Sequence, residues 1–255
     1  MNEIIGTHDV LLVTLDTLRY DVAVELAAQG RTPELAGRFG WEERHAPGSF
    51  TYASHTAILA GFLPTPASPG AHPRLFAAAF PGSETTAPGT WTFDAADLPA
   101  GLAGVGYHTV CVGGVGFFNK LTPLGSALPG LFAESHWDPS FGVTDPRSLE
   151  HQVSCALEVV DRAEGRLFML LNVSALHQPN HFYLPGADGD TRQTHAAALE
   201  YVDRELGRLF AGLRRPSFVI VCSDHGTAYG EDGYVGHRIG HEVVWTVPYG
   251  EFVIA

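Results

Sequence analysis

Three side chains that could bind a metal ion stand just after apolar runs in the sequence. Asp16 follows VLLVTL at 10–15, and the pair Asp224 and His225 follows SFVIVC at 217–222. Carboxylate and imidazole groups that meet at one place bind borderline divalent cations well. Each position also has a plainer interpretation, with Asp16 as the N-cap of a helix and Asp224 as the cap of a turn. Their chemistry therefore depends on whether the fold brings them together.

Four further histidines form two pairs in which the members are four residues apart. His177 and His181 lie in LHQPNH, and His237 and His241 lie in GHRIGH. On a helix this spacing puts both rings on one face, where they can bind one ion. Pro179 disfavours an ordinary helix between 177 and 181, so a turn would have to bring that pair together. The alternative is that both are loop histidines.

Thr51 combines a hydroxyl group with a position near a helix N-terminus. A helix is predicted at 54–60, so Thr51 stands just ahead of it. Backbone N–H groups there favour an anionic phosphoryl group, and a bound metal ion can turn a hydroxyl into a nucleophile. The plainer alternative is that Thr51 only caps the helix. His55 could line the site or simply start the helix, and Arg19 could contact a substrate anion or be a surface charge.

Short apolar runs alternate with helical segments along the chain. Strands are predicted at 10–15, 107–112, 166–173, 217–222 and 247–254, and helices at 20–28, from 32–33 onward, and at 98–102, 148–162 and 194–213. This order predicts an α/β fold, an α/β/α sandwich with a mostly parallel central sheet and helices on both faces. Ligands of such sheets bind beyond the carboxyl ends of the strands, where Asp16, His177 and Asp224 are expected.

We expect one domain over 1–255, with the metal-binding residues at its sheet edge. The segment 65–92 is rich in proline and glycine and is predicted to be a surface excursion or a lid over the site. Specificity for the substrate is expected in 65–92 and in 117–145.

The composition is that of an ordinary acidic globular protein. Of 255 residues, 45% are hydrophobic and 17% charged, and the formal net charge is −13. That charge argues against duplex nucleic acid and anionic membranes as partners, and a phosphate ester would need local cations such as bound metal. Three cysteines without paired spacing argue against a disulfide scaffold. Without a recognisable leader or a long apolar run, we expect a cytoplasmic protein with no membrane contact; the oligomeric state stays open.

Three segments carry a resemblance to a known group of enzymes. DVLLVTLDTLRYD at 9–21, FTYASHTAILAGFLP at 50–64 and SDHGTAYGEDGYVGH at 223–237 resemble, in this order, the metal and nucleophile motifs of the alkaline phosphatase and sulfatase superfamily. The nucleophile motif is closest to the nucleotide pyrophosphatase and phosphodiesterase branch, without that branch's proline. The resemblance implies an alkaline-phosphatase-like fold and a hydrolase of phosphoric esters, with Thr51 as the nucleophile and a phospho-threonine intermediate.

The resemblance also implies the ligands of two divalent ions, zinc first and manganese next. One set comprises Asp16, Thr51, Asp224 and His225. The other comprises His177, His181 and His237, with His241 as an alternative. In a version with one metal, the three outer histidines bind the substrate or act as general acid. Asn119 occupies a loop that faces the substrate in related enzymes.

Other functions stay open at this stage. A sulfatase of the formylglycine type needs a cysteine where this chain has Thr51, whereas a phosphotransferase of the same fold would pass the group to an alcohol instead of water. An alternative from another functional class is a non-catalytic module that binds metal or phosphate. The expected partner is a small phosphate ester, whose identity the sequence does not reveal.

Overall fold

A computed structural model describes residues 3–61, 97–214 and 216–255, together with the backbone of 76–77 and 91–92. The strands are β1 (Asp9–Leu15), β2 (Glu42–His45), β3 (Phe76–Ala77), β4 (Trp91–Thr92), β5 (Tyr107–Val112), β6 (Glu134–His136), β7 (Arg166–Val173), β8 (Ser217–Ser223), β9 (Ala228–Tyr229), β10 (Val235–Gly236) and β11 (Thr246–Ile254). The α-helices are α1 (Tyr20–Ala28), α2 (Pro33–Ala36), α3 (Thr51–Ala60), α4 (Leu98–Gly104), α5 (Pro123–Ala127), α6 (Ser148–Arg162), α7 (Arg192–Gly212) and α8 (Glu242–Trp245).

Seven strands form one sheet in the order β2-β11-β8-β1-β7-β5-β6. The five strands from β8 to β6 are mutually parallel, and β11 runs antiparallel to both β8 and β2. In the register of the central strands, Leu15 of β1 lies beside Val173 of β7 and Ser223 of β8. The segments that follow these three strands therefore emerge at the same edge of the sheet, which positions the site.

Helices cover both faces of the sheet. Leu11 and Val13 of β1 point into a cluster with residues of α1, α6 and α7. Val10 and Leu12, which alternate with them, point into a second cluster that includes Leu59 of α3 and residues around α4. The nearly continuous burial of β1 explains its apolar sequence, because a parallel strand between two helical layers has no solvent-facing side. The predicted α/β/α architecture is confirmed.

Helix α3 begins earlier than the sequence predicts. It starts at Thr51, directly after Phe50, and ends at Gly61, which adopts the left-handed conformation. Threonine and tyrosine are weak helix formers, but the first turn of a helix needs no internal acceptor for its N–H groups. Thr51 therefore occupies the first helical position instead of the loop before it.

The segment 65–92, predicted as an excursion or a lid, lies outside the described residues except for β3 and β4, which pair in parallel. Within the described part of the chain, none of the helices has the length and apolar character needed to cross a membrane.

Candidate metal centre

Asp16, Asp224 and His225 meet at the carboxyl edge of the central strands. Their ligand atoms lie within 4.8 Å of one another, and all three side chains are buried. Asp16 follows β1 directly, and the other two follow β8. After His225 the chain turns tightly: a Cβ on Gly226 would lie 2.0 Å from the carbonyl oxygen of Val243. Glycine is required there because a side chain would collide with the backbone of Val243.

Thr51 completes the group from the first turn of α3. Its Oγ1 donates a hydrogen bond to Asp16 Oδ2 at 3.1 Å and lies 3.3 Å from His225 Nε2. Thr51 as a whole is only 2% exposed. A threonine at a helix start ordinarily caps or faces solvent, but here it points into a buried set of metal-binding groups.

Unpaired oxygen atoms show that the group fits a divalent cation. Asp16 Oδ1 and Asp224 Oδ2 are buried without a hydrogen-bond partner among the described residues. Buried carboxylate oxygens are almost always paired, so two together are a donor set that a bound cation would satisfy. His225 Nδ1 donates to the carbonyl of Gly226 at 2.9 Å, which leaves Nε2 without a proton and able to bind metal.

The distances agree with this interpretation. His225 Nε2 lies 3.9 Å from Asp16 Oδ1 and 3.6 Å from Asp224 Oδ2. Ligands bonded to one zinc ion at about 2.0–2.1 Å in a tetrahedron are about 3.3 Å apart. The four donor atoms thus need only small adjustments to enclose one ion, and a set of two carboxylates, one imidazole and one hydroxyl suits zinc or manganese.

The charges of the cluster also favour a bound cation. Burial, followed by the charge of Asp224, raises the pKa of Asp16. Burial raises the pKa of Asp224 to about 7, and it lowers the pKa of His225. The cluster therefore consists of two acidic groups and a neutral imidazole, and no Lys or Arg among the described residues forms an ion pair with either acid. A metal ion would supply the balancing positive charge.

His177 and His237 lie next to this cluster. Their rings are 5.2 Å apart, centroid to centroid, and His237 is 4.7 Å from His225. Burial, followed by the neighbouring His225 and His177, lowers the pKa of His237 to about 3, so this ring is neutral at physiological pH. The structure brings together two of the three outer histidines, on the side of the cluster that faces a cleft.

His181 and His241 are held elsewhere by their own partners. His181 Nδ1 lies 3.3 Å from Asp190 Oδ1, with 41% of the side chain exposed. His241 Nδ1 accepts from the N–H of Val243 as the cap of α8, and its Nε2 lies 3.1 Å from Asp232. Neither belongs to the cluster. In the described residues no second group of three acidic or histidine side chains has metal-binding geometry.

The three side chains predicted to touch the substrate already form hydrogen bonds or ion pairs with other groups of the protein. Arg19 is 3% exposed and pairs with Asp21 and Glu231. The Asn119 Oδ1 atom accepts from the N–H of Leu121 at 2.9 Å and so builds a turn.

His55 is also enclosed by protein. It is fully buried, and its nitrogens lie 2.9 Å from the carbonyl oxygen of Thr51 and 2.9 Å from Thr14 Oγ1. Burial lowers the pKa of His55 to about 4, so the ring is neutral and links α3 to β1.

A cleft of about 330 Å³ opens over Thr51. Its lining includes the polar side chains of His177, His237 and Arg238. It also includes an apolar wall, which consists of Val115, Phe117, Leu124 and Val143. Three of the four wall residues lie within 117–145, where specificity for the substrate is expected from the sequence, whereas Arg238 was missed although it directly follows a predicted ligand.

Arg238 is the one Lys or Arg among the described residues that line this cleft. It is exposed and adopts the left-handed conformation (φ 68°), which is unusual for a residue with a side chain. Its N–H donates to the Ser49 carbonyl at 2.8 Å, and its guanidinium lies 5.6 Å from the centre of the Phe50 ring. These contacts hold a positive charge beside the nucleophile.

Asn180 is a second residue that the sequence did not reveal. Its side-chain nitrogen donates to the carbonyl of Leu176 at 3.0 Å and to the hydroxyl of Tyr229 at 2.8 Å. Its side-chain oxygen accepts from Thr194 of α7 at 2.5 Å. The loop that carries His177 is thereby tied to α7 and to β9.

Comparison with known proteins identifies the family. The Sulfatase family profile matches residues 8–249, almost the whole chain, so the chain belongs to the sulfatase family. The predicted membership of the alkaline phosphatase and sulfatase superfamily is thus confirmed, whereas the closer likeness to one branch stays a prediction. No curated protein is significantly similar in sequence.

Solved structures with the same fold include three bacterial proteins. The soluble domain of lipooligosaccharide phosphoethanolamine transferase A from Neisseria meningitidis has a TM-score of 0.67 and 16% identity, covering 97% of this chain and 77% of that one. The C-terminal periplasmic domain of EcEptC from Escherichia coli, in complex with Zn, has a TM-score of 0.64 and 13% identity, covering 97% of this chain and 74% of that one. The lipoteichoic acid synthase LtaP from Listeria monocytogenes has a TM-score of 0.62 and 15% identity, covering 96% of this chain and 65% of that one. At these identities the likeness shows the fold alone.

Proposed function

We propose that this chain is a metal-dependent phosphotransferase in which Thr51 takes a phosphoryl group from a small phosphate ester and passes it to an alcohol. The observation that carries the proposal is the position of the Thr51 hydroxyl, between Asp16 Oδ2 and His225 Nε2 in a buried set of metal-binding groups. A module that only binds metal or phosphate needs no nucleophile at that place.

Asp16, Asp224, His225 and Thr51 would hold the metal, zinc first and manganese next. When bound, the ion supplies positive charge that lowers the pKa of the Thr51 hydroxyl and neutralises the phosphate. The zinc in the EcEptC structure supports this choice of metal. The number of ions stays open, but the single cluster among the described residues favours one.

The chain's own residues then carry out two displacements. In the first, Asp16 Oδ2 orients the Thr51 hydroxyl, Thr51 Oγ1 forms a bond to phosphorus, and the donor alcohol leaves with the proton. In the second, the acceptor hydroxyl loses its proton, its oxygen bonds to phosphorus, and Thr51 regains its hydroxyl. His177 and His237 stand beside the cluster, in place to bind the departing or arriving oxygen, and Arg238 binds a phosphate oxygen.

Transfer to an alcohol is preferred over hydrolysis because the structural relatives named above include a phosphoethanolamine transferase and a lipoteichoic acid synthase. Hydrolysis by the same chemistry, with water as the acceptor, is the second candidate. A sulfatase of the formylglycine type is disfavoured, because position 51 carries threonine instead of cysteine.

Product analysis separates these functions. Zinc-loaded protein is incubated with an aryl phosphate ester, with and without glycerol as acceptor, and the phosphorylated products are measured by phosphorus NMR. A transferase gives mainly glycerol phosphate, whereas a hydrolase gives mainly inorganic phosphate. Thr51→Ala should abolish both products while Thr51→Ser retains part of the activity. Turnover by Thr51→Ala at the wild-type rate would refute the proposal.

A further inference from the structure

Three of the four residues of the apolar wall come from one segment, 115–125, next to the nucleophile. Val115 and Phe117 precede a turn, and Leu124 lies in α5. Asn119 Oδ1 binds the N–H of Leu121, Thr122 Oγ1 caps α5 through Gly125 N–H, and the N–H of Lys120 donates to Gly125. The turn between the two parts of the wall is therefore held by its own hydrogen bonds.

Aromatic contacts fix the wall against helix α3. The Phe117 ring lies 5.5 Å from Tyr52 and 6.3 Å from Phe50, and the buried Phe118 ring meets the His55 ring edge-on at 5.1 Å. The residues directly before and after Thr51 thus contact the wall, and His55, which binds the Thr51 carbonyl, contacts the neighbouring Phe118. A group that lies on the wall is consequently adjacent to phosphorus during attack by Thr51.

The wall exposes apolar surface that nothing described in the chain covers. Leu124 is 50% exposed, and Phe117 is partly exposed. The same cleft is also lined by His237 and the positively charged Arg238, so its lining combines apolar and polar surface. Such a cleft complements a molecule with an anionic head at Thr51 and an apolar tail.

We infer that the substrate is a phosphate ester with an apolar alkyl or aryl substituent, which lies on the wall formed by Val115, Phe117, Leu124 and Val143. This inference rests on the proposed function and adds the class of substrate. Esters of small polar alcohols leave the wall exposed to water and react less well.

Binding of alkylphosphonates tests the inference without turnover. Methyl-, butyl-, hexyl- and octylphosphonate share one anionic head and are titrated into zinc-loaded protein by calorimetry, below their micelle concentrations. Each methylene buried on the wall is expected to raise the affinity about two- to fourfold, until the tail leaves the cleft. Leu124→Ser should flatten this dependence while the affinity for methylphosphonate stays within about twofold of wild type.

Leu121→Ser is the matched control. Leu121 is 72% exposed, lies three residues away and does not line the cleft, so this variant should behave as wild type. If methylphosphonate binds but longer chains bind no more tightly, or if Leu124→Ser keeps the wild-type dependence, the inference is overturned while the proposed function stands. If no phosphonate binds zinc-loaded protein, both are overturned. Thermal unfolding of each variant verifies that it is folded.

Discussion

Replacing Asp224 with asparagine should make the metal-free protein more stable and the zinc-bound protein less stable. Asp224 Oδ1 accepts from the N–H groups of Thr17 and His225, and an asparagine oxygen can do the same. Asp224 Oδ2 is an unpaired oxygen 3.6 Å from His225 Nε2, and an amide nitrogen there would face that unprotonated ring nitrogen without adding a second negative charge beside Asp16. The substitution removes a buried charge but keeps the local hydrogen bonds.

The size of the effect follows from the pKa. Burial raises the pKa of Asp224 from 3.8 to about 7, which corresponds to about 4 kcal/mol. Below pH 3.8 both states carry the proton. Between about pH 4 and 7 the unfolded chain has lost it while the native protein keeps it, so native stability falls as pH rises, with the full deficit above about pH 7. Structural relaxation reduces this deficit. We therefore expect the free energy of unfolding of metal-free Asp224→Asn to exceed that of wild type by about 2–4 kcal/mol at pH 8.

Thermal unfolding with a chelator at pH 5 and pH 8 measures this gain. The midpoint of Asp224→Asn should exceed that of wild type by about 5–15 °C at pH 8 and by less at pH 5. With zinc at 100 times its dissociation constant, wild type should gain about 2.7 kcal/mol and the variant much less. An equal or lower midpoint for the metal-free variant at pH 8 would refute the view of this cluster as an uncompensated cation site.

Asp203→Asn is the control for a generic effect of removing a buried acid. Both oxygens of Asp203 accept backbone hydrogen bonds, from Glu34 at 3.1 Å and Leu35 at 2.8 Å, so asparagine loses one acceptor. This variant should be less stable by about 1 kcal/mol and indifferent to zinc.

Three further predictions concern other parts of the site. His225→Ala should lose its bound zinc and His181→Ala should keep it, as measured by elemental analysis; loss of zinc by the His181 variant would show that the ligand set is misassigned. Arg238→Gln should raise KM for an anionic ester about tenfold with a smaller change in kcat, since one charge-assisted hydrogen bond contributes about 1.5–3 kcal/mol. The control variant Arg147→Gln, at an exposed site, should change neither KM nor kcat. Equal effects of the two substitutions would contradict the role assigned to Arg238. Asn180→Ala should lower the free energy of unfolding by about 1–3 kcal/mol in urea titrations, because it leaves buried groups unpaired, and an unchanged midpoint would count against the network described.

The regular elements were predictable because their apolar patterns are simple. Strands β5 and β7 and helix α6 have the bounds that the sequence predicts, since β5 and β7 are short apolar runs and α6 has one apolar stripe. Strand β2 (Glu42–His45) was missed because all four residues, EERH, are exposed on the sheet edge and carry no alternation. The final strand was predicted, but its antiparallel direction depends on pairing that no local pattern encodes.

The inner site was predictable for a different reason. Asp16 and Asp224 each follow a buried strand, and the geometry of a parallel sheet brings such positions together. The outer histidines show that spacing in the sequence does not always predict which side chains lie together. A spacing of four residues implies a shared face only on a helix, whereas His181 starts a short 3-10 turn and His241 caps α8. Segment 117–145 was expected to determine specificity, but its place beside Thr51 depends on the packing of Phe117 and Phe118 against Tyr52 and His55 of α3. Arg238 could not be found, because its place depends on long-range contacts with Ser49 and Phe50.

The central claim is that Thr51 is the nucleophile beside a bound metal ion, and trapping the covalent intermediate tests it most directly. Zinc-loaded protein is mixed with an aryl phosphate ester, quenched with acid after milliseconds to seconds, digested, and analysed by mass spectrometry. The account predicts a phosphoryl group on Thr51 that appears only with metal and disappears when an acceptor alcohol is added. Phosphorylation of another residue, or turnover by Thr51→Ala at the wild-type rate, would contradict it.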